Sequence, residues 1–142
     1  MKVFNSQPLN TNLAALLLRA IFGGLFVYYG IQKVLMYHQI LPLFSDVIGI
    51  GSRLSFHLVI FAELVCGFFV LVGFMTRLFV IPIFITMAVA YFVVHAADPF
   101  QVKQLAFVHL VLSMIVFVLG SGRYSIDGLL QQNNSKKLLV HG

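Results

Sequence analysis

The stretch from Leu54 to Met75, LSFHLVIFAELVCGFFVLVGFM, is long and apolar enough to cross a bilayer, yet it carries a carboxylate, Glu63, near its middle. At about 1.5 Å of rise per residue, Glu63 lies roughly 13 Å into a hydrocarbon layer about 30 Å thick. A charge at that depth costs on the order of 3 kcal/mol, so the side chain has to face protein and needs a partner. A single helix cannot supply one, and the rest of the chain has to fold around that requirement.

Composition agrees with a chain that lives in lipid. Of its 142 residues 61% are hydrophobic and only 9% are charged, and the mean hydropathy is +1.01. That length allows four crossings with short connections, and any soluble partner domain has to come from another chain. The net charge of +5 resides mostly in loops and at span ends, which excludes a nucleic-acid surface and matches the distribution that orients a membrane protein. Cys66 is the one cysteine. An internal disulfide and dithiol exchange are therefore excluded, and a thiol in apolar surroundings behaves as a small hydrophobe.

The expected fold is all-α: an integral membrane four-helix bundle with spans at about 13–36, 54–75, 77–97 and 104–120. In the first span Arg19, Gly23, Phe26, Gly30 and Lys33 recur at helical steps and define an inward face. Its glycines suit close approach of a neighbouring helix. In the third span Phe84, Ala88, Tyr91 and His95 share a face, and Pro82 is a candidate kink. In the fourth, Ala106, His109, Ser113, Val116 and Gly120 form a stripe of small and polar groups, as expected for a packing seam. Leu41, Phe44, Val47 and Ile48 follow helical spacing around Pro42, which points to an interfacial helix at about 42–48.

Residues 1–12 are expected to be a polar tail, 13–130 the bundle, and 131–142 a disordered tail beginning QQNNSKK. Outside the spans, Lys2, Arg77, Arg123, Lys136 and Lys137 fall on the side of both termini, against Arg53 and Lys103 on the other. That bias predicts cytoplasmic termini. Arg19 and Lys33 are about equally far from Glu63 along the membrane normal. Arg19 is the expected partner, because a guanidinium can grip a carboxylate with two hydrogen bonds, and Lys33 is the alternative.

Several segments together resemble the DoxX family of small four-span bacterial and archaeal membrane proteins: LLLRAIFGGLFVYYGIQKV, AELVCGFFVLVGFMTRL, the His95 end of the third span, and GSGRYSID. The likeness runs from about Leu16 to Leu130. It implies a four-helix bundle in the bacterial plasma (inner) membrane, and Arg19, Gly30, Lys33, Glu63, Gly67, Gly73, Arg77, Gly122, Arg123 and Asp127 match its pattern. Gly120 and Ser125 complete the GSGRYSID motif. Gln104 stands where the family suggests an acidic residue at the start of the fourth span. The family's name derives from a subunit associated with a thiosulfate:quinone oxidoreductase, and relatives are linked to oxidative-stress complexes.

Two functional readings are open to such a chain. In the first the protein is a membrane-anchor subunit of an oxidoreductase, with His95, His109 and Lys33 as a candidate quinone headgroup site and Glu63 as a candidate proton acceptor. In the second it is a non-enzymatic scaffold, or a carrier of protons or small molecules, whose charges hold helices together. Both place it in the lipid bilayer beside another protein subunit, and neither requires an intrinsic cofactor. His57 reads as an interfacial residue. Haem is disfavoured because His95 and His109, separated by one short loop, are neighbours and not opposed axial ligands. No metal-binding motif, nucleophile elbow or phosphate loop occurs.

Overall fold

The computed structural model describes residues 10–140. Among these there is no strand, and four helices are long and apolar enough to cross a membrane. We number the helices α1 (Thr11–Leu35), α2 (Tyr37–Ile40), α3 (Ser52–Val72), α4 (Thr76–Val94), α5 (Phe100–Leu119) and α6 (Ile126–Val140). The all-α four-span bundle is thus present, with each span starting one to four residues earlier than expected. Local chemistry sets those starts. The Asn10 side chain accepts from Leu13 N at 3.0 Å to cap α1, and Pro99 occupies the N-cap of α5.

Helix α1 lies along α3, α3 against α4, α4 along α5, and α5 returns to α1. Phe22, Phe26, Cys66, Val70, Val80, Ile83 and Val116 meet inside this ring as one buried cluster. The outer faces are apolar as well, as with Ile21, Phe92 and Val118, because their solvent is lipid. Gly30 permits a close approach of two spans: a Cβ there would fall 2.6 Å from Leu64 N. That contact fixes the register of α1 on α3.

Two helices contain a π-helical turn, α3 at Phe61–Cys66 and α4 at Ala90–Val94. Such a turn inserts one residue and rotates the remainder of the helix about its axis. On α4 the inner line runs through Val80, Ile83, Met87 and Ala90, not through Phe84, which is exposed. Ordinary spacing would bring Val94 inward next. The π turn, closed by His95 N donating to Ala90 O at 3.0 Å, brings His95 to that place. The helix runs unbroken through Pro82.

Two local expectations are corrected. The helical part of the long connection is Tyr37–Ile40 with a 3-10 turn at Leu41–Leu43, not 42–48. After Phe44 the Asp46 carboxylate accepts from the backbone N–H of Gly49, Ile50 and Gly51, and an Asx-type turn replaces a helix. Residues 131–140, expected to be disordered, continue α6, which the Ser125 hydroxyl caps by accepting from Gly128 N at 3.0 Å. The rest of that tail and most of the N-terminal tail lie outside the described residues.

Candidate functional site: a cleft and a clasp at opposite ends of the bundle

At the bundle end holding the C-terminus of α1, a cleft of about 280 Å³ opens between the spans. Helix α1 contributes Phe26, Tyr29 and Lys33, α3 contributes Glu63, and His95 and His109 come from the end of α4 and from α5. Lys33 Nζ donates to Glu63 Oε2 at 2.6 Å. Glu63 therefore pairs with Lys33 and not with Arg19. The Gly30 to Leu64 contact is the physical reason, because Lys33 lies almost one turn beyond Gly30 and so comes alongside Glu63. Glu63 is nearly enclosed, while a quarter of the Lys33 side chain is exposed.

His109 is buried, with its ring edge-on to Phe26 and Tyr29 at centroid distances of 5.1 and 5.9 Å. Its Nδ1 lies 2.8 Å from Leu105 O, and a carbonyl can only accept, so Nδ1 carries the proton. In the uncharged ring Nε2 is then an acceptor. His95 Nδ1 contacts Asp98 Oδ2 at 2.7 Å, an arrangement in which a carboxylate fixes the orientation of an imidazole. The cleft thus holds an ammonium donor, a carboxylate and two oriented imidazoles between apolar walls supplied by Phe26, Met87, Val102 and Leu105.

Arg19 lies elsewhere, near the opposite end of α1. It is 1% exposed. Its Nη1 donates to Val70 O at 3.3 Å and Leu71 O at 3.0 Å, and its Nη2 to Tyr124 O at 2.6 Å. The first two are carbonyls of the last turn of α3, at the negative end of the helix dipole; Val70 O also accepts from Gly73 N at 3.2 Å. Gly73, at φ 75°, ends that helix, and a side chain there would strike the Arg19 guanidinium and Ser125.

Most of the GSGRYSID motif forms the other half of this clasp. Asp127 N donates to Gly73 O at 3.1 Å, and Asp127 Oδ1 accepts from Met75 N at 3.1 Å, holding Met75 in its left-handed conformation at φ 43°. Ser121 Oγ donates to Asp127 Oδ2. Ser125 Oγ donates to Gly122 O at 2.6 Å, and Arg123 N to Asn12 Oδ1 at 2.9 Å. Gly120 and Gly122 take positive φ to allow these turns. Arg77 reaches across from α4 to donate to Phe117 O and Val118 O at the end of α5.

The comparison with family models bears on this arrangement: residues 14–96, more than half of the chain, match the DoxX model. The chain belongs to the DoxX family. No curated protein and no solved structure matches it. The DoxX match takes in Arg19, Lys33, Glu63 and His95 and stops short of His109 and the GSGRYSID motif. Of the residues singled out in the sequence, the cleft collects Lys33, Glu63, His95 and His109, whereas Cys66 is buried in the core. His57 lies outside the cleft, exposed and stacked on Tyr37, whose hydroxyl is 2.7 Å from its Nε2. Gln104 is exposed and does not line the cleft. Tyr29 and Asp98 belong to the site without having been singled out. Their signals were spacing alone: Tyr29 is one turn before Lys33, and Asp98 is three residues after His95.

Proposed function

We propose that this DoxX protein is the membrane-anchor subunit of an oxidoreductase and that its outer cleft receives a quinone headgroup as substrate. The observation that carries the reading is the convergence of Lys33, Glu63, His95 and His109, drawn from all four spans, on one cleft of about 280 Å³ with apolar walls. A quinone headgroup needs an apolar slot with polar groups directed at its oxygens, and the reduced form also needs hydrogen-bond acceptors. Lys33 supplies a donor and the His109 ring an acceptor. Reduction by two electrons from a partner subunit consumes two protons, and Glu63 and the Asp98-oriented His95 are the groups suited to pass them.

Titration of the purified protein with a short-chain ubiquinone tests this. His109→Phe and Lys33→Met should each weaken binding by about tenfold or more, the equivalent of one strong hydrogen bond. Absence of saturable binding to the folded wild-type chain would overturn the reading. It would favour the scaffold role, which the mutual neutralisation of Lys33 and Glu63 supports.

The same proposal places the protein in a bacterial plasma (inner) membrane with both termini cytoplasmic, supported by the bias of Lys and Arg toward the end where α1 begins. A reporter active only in the cytoplasm, fused after Gly142, should be active, and a silent fusion at normal expression would reverse the orientation.

A further inference from the structure

At the inner end a second and larger hollow of about 1180 Å³ lies between the bundle and α6. Arg77, Arg123 and Lys136 line it, together with a single carboxylate, Asp127. That carboxylate is already engaged by Met75 N and Ser121 Oγ. Among the described residues Arg123 and Lys136 form no ion pair, and Arg77 spends only its Nε and Nη2 on the end of α5. Among the described residues the hollow therefore carries an excess of positive charge without a balancing carboxylate.

Its depth and walls narrow the occupant. Arg77 is the second residue of α4 and Gly120 follows the last residue of α5, so the cations stand at the headgroup level of the inner leaflet. Leu78 and Leu119 line the same hollow and lead onto exposed apolar side chains of the two spans, such as Val118, that face the acyl region. A free anion would use the cations and leave the apolar wall idle. An anionic phospholipid uses both, its phosphate among the cations and its chains along α4 and α5, as basic pockets at the cytoplasmic ends of spans do.

We infer that this hollow is a binding site for an anionic phospholipid of the inner leaflet, with Arg123 and Lys136 as its headgroup ligands and Arg77 shared between the lipid and the end of α5. The inference rests on the orientation proposed above and is independent of what enters the outer cleft. Arg123 and Lys136 are both exposed, so their substitution spares the core. The full chain is purified in a non-ionic detergent and titrated with phosphatidylglycerol or with phosphatidylcholine of identical chains, and bound lipid is counted by native mass spectrometry. Phosphatidylglycerol should be preferred, each of Arg123→Gln and Lys136→Gln should cut the preference roughly fivefold, and the double variant should lose most of it. Lys103→Gln, at the opposite end, should keep it. Equal binding of the two lipids, a preference that survives the double variant, or an equal loss in Lys103→Gln would overturn the site. Displacement of the lipid by millimolar inorganic phosphate would also overturn it, since the cations would then serve a free anion.

Discussion

The two ends of α1 each turn a basic side chain toward the other spans, and they treat it in opposite ways. Arg19 is enclosed and donates to three backbone carbonyls, from the end of α3 and from the turn after α5. Lys33 meets a carboxylate beside a cleft. The Arg19 arrangement ties chain segments distant in sequence and leaves its cation no room for a ligand. The Lys33 arrangement leaves space next to titratable side chains. A charge inside a membrane bundle is thus a functional signal only together with its surroundings, because the same residue class ties backbone carbonyls at one end and borders a cleft at the other.

Breaking the clasp should give the largest effect. Arg19→Gln removes the fork and takes the guanidinium donors from Val70 O, Leu71 O and Tyr124 O, at about 3 to 5 kcal/mol for the set. Arg19→Lys should recover little, since one ammonium cannot reproduce the planar geometry. Unfolding by a denaturing detergent, monitored by far-UV circular dichroism, reads the difference. A loss below about 1 kcal/mol would mean that the clasp does not hold the inner end together.

A smaller effect should come from parting Lys33 and Glu63, and here the two ends can be set against each other. In a double-mutant cycle with Lys33→Met and Glu63→Gln, the double variant should recover about 1 to 3 kcal/mol relative to the sum of the singles, because each single strands the other charge. The cycle of Arg19→Gln with Glu63→Gln should be additive within about 0.5 kcal/mol. Coupling in the second cycle and none in the first would restore the Arg19 pairing expected from side-chain chemistry alone.

That reversal shows what a sequence of this kind discloses. The four spans were legible because long apolar runs leave few alternatives, and the inward faces of α1 and α5 were legible because Arg19, Gly30, His109 and Ser113 recur at helical steps. The partner of Glu63 was not. Depth placed Arg19 and Lys33 on equal terms, and the choice rests on which residues of α1 and α3 touch, set by Gly30 against Leu64. Periodicity succeeded only in part on α4: His95 lines the cleft as its spacing suggests, but Phe84 on the same expected face is exposed, because the π turn at Ala90–Val94 shifts the phase of the helix between them. The helical course of residues 131–140 was hidden for another reason: a polar composition signals solvent exposure as readily as disorder.

The smallest effect is expected between the two ends, at Cys66. It lies three residues past Glu63 in the π turn, yet its thiol is fully buried among Phe22, Phe26, Val70 and Ile83. A thiol so enclosed meets no aqueous reductant or oxidant and makes no approach to the cleft, so it contributes volume and nothing else. Cys66→Ala removes one sulfur from a packed core and should cost about 1 kcal/mol, as for other small core truncations. Quinone affinity should stay at the wild-type value, whereas His109→Phe should lower it. The measurement is the same ubiquinone titration, run on both variants beside their unfolding curves. Equal loss of affinity in both would show that the cleft answers to core packing in general, and the contrast between a structural inner end and a chemical outer end would then fail. Lost affinity in Cys66→Ala alone, at full stability, would move the chemistry onto the thiol.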